Sequence, residues 1–288
     1  MTLTASTAAT RFDTFSVEHF VLIATFLAVC VALAVLGRAH RDSRAETYFR
    51  RGFALLIPCF TVPLQVLQLL PGDYDVATSL PLQLCDLAWV AAVVALWTRH
   101  WAATALVYFW GLTLTIQGIV TPALSQPFPD PRYLMFWGMH FVVVWAAVYL
   151  TFGLRVPVTW KSYRFAVVVT LMWAVAAMTF NAVAGTNYGY LNRKPASGTL
   201  LDLFGPWPGY VVVEVVVASV VWALMTWPWM AAAARSAPRR PPVPSGRLAC
   251  RVETQGQRLE SCRILGRCGS HARWNRQNRS RSRVRERF

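Results

Sequence analysis

Charge is what this chain has least of. Asp, Glu, Lys and Arg make up 14% of its 288 residues, where soluble domains typically carry about 25%. That shortage excludes an ordinary solvated surface. The charge present is also uneven: residues 1–234 hold 13 bases and 10 acids, and residues 235–288 hold 15 bases and 3 acids. Most of the net +15 therefore belongs to the last stretch. No basic segment precedes the first apolar run, and that run is about 20 residues long, beyond the roughly 7–15 of a cleavable signal peptide. It reads as a first membrane span. No internal repeat is evident, which argues against a transporter built from inverted halves. Cysteine is missing from every loop that falls outside the membrane, so no disulfide framework is expected. Cys30 and Cys59 lie inside apolar segments and read as packing residues. Cys250, Cys262, Cys268 and His271 lack zinc-site spacing. Neither a metal nor another cofactor is expected.

Hydrophobic residues are abundant, at 56%. They gather in seven runs, about 17–37, 53–70, 80–97, 101–121, 133–154, 164–184 and 209–234. Each is long enough, or nearly so, to cross a bilayer as a helix of roughly 20 residues. The expected fold is an all-α, polytopic membrane protein of seven transmembrane helices in the cell membrane.

The loops set the orientation, because short cytoplasmic loops collect Lys and Arg. Loop 1–2 carries Arg38, Arg41, Arg44, Arg50 and Arg51, loop 3–4 carries Arg99, and loop 5–6 carries Arg155 and Lys161 with Arg164 at its edge. Loop 2–3 has two acids, Asp73 and Asp75, and loop 4–5 has Arg132 beside Asp130. The chain thus reads N-out, C-in. It divides into an extracytoplasmic N-terminus (1–16), a transmembrane domain (17–234) and a disordered Arg-rich cytoplasmic tail (235–288). The tail's prolines and its Arg/Ser run lack any apolar period. Its charge suits anionic lipid headgroups, and nucleic acid is the weaker reading.

Threading the helices in and out brings the buried polar residues to one depth. Glu18, His19, Gln65, Gln68, Gln83, Cys85, Asp86, Gln117, His140, Asn181 and Glu214 all fall in the outer half. Polar groups in hydrocarbon are costly and face a cavity or one another. Glu18 suits a helix N-terminus. In the third run, Leu82, Cys85 and Asp86 share a helical face, with Pro81 in the first turn. Asp86 is expected to face the bundle, paired with a base or protonated. His140, level with Cys85 and Asp86, is the expected central group, because imidazole both donates and accepts a proton near neutral pH. Glu214, alone among valines, reads as an interhelical hydrogen bond or a pocket group. Loop 6–7 is dense in Gly, Pro and aromatics and reads as an ordered cap. Its Asn187, Arg193 and Lys194 are candidates to hold a ligand, with His19, Gln83, Asp86, Gln117 and Glu214 below them.

Several of these residues carry a resemblance. Leu80-Pro81-Leu82-Gln83-Leu84-Cys85, Trp110-Gly111, Gln117-Gly118, Thr121-Pro122, Phe128-Pro129 and His140 stand in the early helices. Trp160-Lys161-Ser162, Asn187-Tyr188, Lys194-Pro195 and the block from Leu200 to Pro208 come after them. In this order they resemble the bacterial YwaF-type integral membrane family over about Phe15 to Trp229. They are more distantly similar to eukaryotic transmembrane protein 164, to which a phospholipid acyltransferase activity with a Cys–His pair is ascribed. The resemblance implies that His140 is the family's helix-5 histidine. It also places the family's cysteine on Leu82 and the following histidine on Gln83, so this chain departs from the pattern at both. Cys85 is the nearest thiol. Two function classes stand: a non-catalytic protein binding a lipid or small molecule in the outer-half pocket, and an acyltransferase-like enzyme using Cys85 and His140.

Overall fold

The computed structural model describes residues 12–72, 74–122, 124, 126–194 and 200–236. Residues 1–11, Asp73, residues 195–199 of the cap and the tail from 237, with Cys250, Cys262, Cys268 and His271, lie outside the described residues. Among the described residues the chain is helical, without strands. Seven rods succeed one another: α1 Val17–Ala39, α2 Arg44–Leu69, α3 Leu84–Thr98, α4 Trp101–Val120, α5 Pro131–Gly153, α6 Trp160–Ala184 and α7 Gly209–Ser236. Six are long and apolar enough to cross a membrane; α3, with 15 residues, is shorter.

Burial ranks the helices. In α5, 67% of the apolar window is buried, and in α4 56%, against 17% in α1 and α6. α5 is therefore the central rod. Alanines let α3 lie close to it: Ala91, Ala92 and Ala95 share a core cluster with Val142 and Ala146 of α5 and with Phe53, Ala54 and Ile57 of α2. Leu84 and Ala88 share a second cluster with Val143, one turn beyond His140, and with Trp222 of α7.

The contacts between helix ends gather the loops into two sets. Arg99 reaches Asp42 and Glu46, and Arg38 Nε donates to the carbonyl of Phe152. The 1–2, 3–4 and 5–6 connections thus share one end of the bundle. At the other end, Tyr188 bridges the 6–7 connection to residues 76–80.

Two boundaries differ from the sequence expectation. α2 begins at Arg44, nine residues before the expected 53, because Ser43 caps it: the Ser43 hydroxyl accepts from the Glu46 N–H. Arg44, Arg50 and Arg51 are therefore helical. Arg50 is buried against Glu46 (2.7 Å) and donates to the carbonyls of Leu96 and Trp97. It thereby satisfies the terminal acceptors of α3. α3 in turn begins at Leu84, not at 80. Gln83 is its cap, and the Asp86 carboxylate accepts from the Gln83 N–H at 3.0 Å, closing a capping box. Pro81 and Leu82 precede the helix. The expected helical face joining Leu82 to Cys85 and Asp86 is therefore not formed, and the helix is too short to carry it.

Candidate functional site

The two membrane histidines are held in opposite states. His19 is fully buried on α1. The Phe15 N–H donates to its Nδ1 (3.0 Å), so Nδ1 is bare, and Nε2 donates to the carbonyl of Ile119 at the end of α4 (2.8 Å). Both ring nitrogens are engaged, and His19 acts as a clasp between α1 and α4. Beside it the Tyr133 hydroxyl donates to Glu18, joining α1 to α5. His140, 6% exposed on α5, is the reverse. Its Nδ1 lies 2.7 Å from the carbonyl of Phe136. A carbonyl only accepts, so Nδ1 carries the proton and Nε2 keeps its lone pair. The ring lies tilted at 35° to that of Phe136, with centroids 4.2 Å apart, and against Gly118 of α4. A Cβ at position 118 would stand 2.7 Å from Nε2. Glycine there is what allows the ring to sit in this place.

A π-helical stretch explains why Gly118, and not its neighbour, meets the ring. Residues Trp110–Thr115 of α4 wind as a π-helix. Such i→i+5 turns shift the phase of the next helical turn. Gln117 is exposed and Gly118 faces α5. The expectation that Gln117 faces the interior is corrected by this shift.

The first turn of α3 is the second half of the arrangement. Cys85 and Asp86 are half-buried there. Gln83 serves two sides, since its Oε1 accepts from the N–H of Gly189 in the cap at 3.0 Å. Gly189 has φ +68°, and a Cβ on it would strike Trp173 at 2.5 Å. The Trp173 indole donates to the carbonyl of Leu82 (3.0 Å). Non-helical backbone near membrane depth is tolerated when protein groups satisfy it, and this is how residues 76–83 are satisfied. The Tyr188 hydroxyl donates to the carbonyl of Val76 (2.7 Å) and accepts from the N–H of Leu80 (3.0 Å). Gln65 adds a bond to the carbonyl of Ser79 (2.7 Å). Burial pushes the Tyr188 phenol pKa up, so it stays a neutral donor.

The cap is ordered by asparagines. Asn181 of α6 accepts from the Tyr188 N–H (2.7 Å) and the Thr186 hydroxyl (2.8 Å) and donates to the carbonyl of Tyr188 (2.9 Å). Asn187 accepts from the N–H groups of Asn192 and Arg193 and donates to the carbonyl of Arg193. Lys194 lies 3.7 Å from Asp202 and over the ring of Tyr210, one turn before the half-buried Glu214. Arg193 is exposed. Of the expected site residues, then, Gln83 joins the cap to α3 through Gly189, Asp86 caps the first turn of α3, and Asn187 holds the turn of the cap itself. Lys194 and Glu214 flank Tyr210. His140 lies beneath, on the central helix, hydrogen-bonded to its own backbone. Gly118, Tyr188, Gly189 and Trp173 are not among the site residues expected from sequence. A glycine beside Gln117 and a Gly-rich cap are the visible signals for two of them; nothing marks Trp173. Among the described residues no group of His, Cys, Asp and Glu is placed to hold a metal ion.

No curated protein and no solved structure matches this chain. A model of the TMEM164 family, by contrast, matches residues 14–226, from the turn before α1 to within α7. That span contains the α3 cap, Gly118, His140 and the 186–194 segment, and through it this multi-pass membrane protein belongs to the TMEM164 family.

Proposed function

We propose that the chain crosses the cell membrane seven times, N-out and C-in, and holds a polar pocket in its outer half for a lipid or another small molecule. In this reading α3 is the seventh span. Its 15 residues cover about 22 Å of the roughly 30 Å hydrocarbon layer, and the segment 76–83 beneath the cap supplies the rest. The domain limits stay at 16 and 234, with the basic tail inside. Within the family, the order of motifs from Leu80 to Pro208 favours the YwaF-type branch.

The observation that carries the pocket is the state of His140. His140 on the innermost helix has Nδ1 committed to Phe136 and a lone pair on Nε2, which lies beside Gly118; this reading assigns that acceptor to a ligand. Asp86 and Gln83 stand at the head of the neighbouring helix. Asn187, Arg193 and Lys194 roof it, the two bases suiting a phosphate headgroup. Glu214 belongs to its rim in this reading, while Gln117, which is exposed, and His19, whose two ring nitrogens are engaged, do not. Native mass spectrometry of the purified protein and of His140→Ala tests it. Bound lipid or small molecule on the wild type, largely lost from the variant, is expected. Equal occupancy in both overturns it.

The bare Nε2 also favours a second reading, because it is the form a general base takes. Here Nε2 accepts the Cys85 thiol proton and Sγ attacks a lipid acyl ester. The alcohol leaves with that proton; a second lipid hydroxyl then attacks the thioester, its proton passing by way of Nε2 to the departing Cys85 thiolate. Leu82 and Gln83 at the family's cysteine and histidine positions weigh against it, so binding is the first reading.

A further inference from the structure

At the opposite end of α6 from the cap lies a groove that the outer pocket does not use. Trp160, at the start of α6, and Val220, Ala223, Leu224 and Trp227 of α7 line a shallow, open furrow with about 320 Å³ of space. The α7 residues form one helical stripe. Its walls open outward: Val220, Leu224 and Trp227 are 53%, 57% and 63% exposed and Trp160 40%. The opposite face of the same stretch of α7, Trp222 with Met225 and Trp229, packs into the core. The groove is thus a shallow furrow along the outward face of α7 beside the start of α6, on two helices long and apolar enough to cross a membrane.

The charge at its mouth is of one sign. Arg164 stands one turn beyond Trp160, on the same helical face, and is exposed. It lies about 6 Å into the helix. An arginine there extends its guanidinium toward the headgroups while its stem covers apolar surface. Lys161 is held at the same end, its ammonium 3.9 Å over the Trp101 ring. Arg155 lies just before the helix and Arg235 in the last turn of α7. Asp42 on the 1–2 connection and Glu46 in the first turn of α2, the acids at this end among the described residues, are occupied with Arg41, Arg50 and Arg99.

We infer that the furrow between α6 and α7 seats one acyl chain of an anionic phospholipid whose phosphate is held by Arg164 and Lys161. The apolar stripe takes the chain, the two tryptophans sit where indoles favour the interface, and the paired cations select the headgroup. The inference needs only that α6 and α7 span the membrane, and it stands or falls separately from the outer pocket.

The test uses the full chain reconstituted in vesicles with brominated-acyl phosphatidylglycerol or brominated-acyl phosphatidylcholine, reading tryptophan quenching. Titrating the phosphatidylglycerol into phosphatidylcholine should show preferential quenching, and Trp160→Phe/Trp227→Phe should remove that component. Arg164→Gln, an exposed substitution, should lower the relative affinity about fivefold, as should Lys161→Gln. Equal quenching by the two lipids overturns the inference. So does a preference that survives in both charge variants, or one that persists after the two tryptophans are replaced.

Discussion

The imidazole of His140 lies against the backbone of Gly118, so close that a methyl group on that glycine would stand 2.7 Å from Nε2. The relationship joins the two most buried helices and places Nε2, the nitrogen not bonded to Phe136, against α4. Gly118→Ala should therefore push the ring away and cost about 1–3 kcal/mol by overpacking. Gly52→Ala, where a Cβ meets nothing within 4 Å, is the matched control and should be neutral or slightly stabilising. Thermal unfolding in detergent reads both. Equal stability of the two variants would falsify the contact.

Cys85→Ala separates the binding reading from the enzymatic one. If the pocket only binds, lipid occupancy by native mass spectrometry stays within about twofold of wild type and no acylated Cys85 peptide is found in the wild type. If Cys85 is the nucleophile, the wild type yields an acylated peptide and the variant loses turnover while keeping its lipid.

Tyr188 ties the cap to the extended segment ahead of α3 through both functions of one hydroxyl. Tyr188→Phe leaves the Leu80 N–H and the Val76 carbonyl without that partner. A cost of about 1–3 kcal/mol is expected. Hydrogen exchange should quicken at residues 76–83 and 186–194 together. Faster exchange in only one of the two segments would show that they are not coupled.

Glu46 and Arg50 form a buried pair, with side-chain exposures of 2% and 7%. Removing one member strands the other, so Arg50→Met should cost about 3–5 kcal/mol. Arg51→Met, on the neighbouring position over the Trp97 ring, should cost about 0.5–1 kcal/mol. Chemical denaturation of the two variants ranks them, and the reverse order contradicts the assignment of Arg50 to the interior.

Topology has its own measurement. In a cysteine-free background, Thr78→Cys should react with an impermeant maleimide on intact cells and Arg41→Cys should not, since both positions are exposed and lie in connections at opposite ends of the bundle. The reverse pattern inverts the protein in the membrane and moves the proposed pocket to the inner leaflet.

The sequence by itself determined the helical membrane class and the order of the rods. Apolar run length and the low charge of residues 1–234 leave little else for a chain in lipid. It also brought His140, Gln83 and Asp86 to notice, because a polar group inside an apolar run is costly enough to need a reason, and Asn187 through the Gly- and aromatic-rich loop that holds it. The tertiary structure decided what those groups meet. Whether a histidine is a clasp or a free acceptor depends on which atoms surround its two nitrogens: His19 hydrogen-bonds to Phe15 and Ile119, while His140 bonds to Phe136 on its own helix. No periodicity encodes that difference. The late start of α3 arose the same way. Residues 80–83 belong to the same run as the helix they precede, but a capping box at Gln83 and bonds from Tyr188, Gly189 and Trp173 hold them out of it. Those three partners lie about a hundred residues away in the chain, and only the fold brings them together.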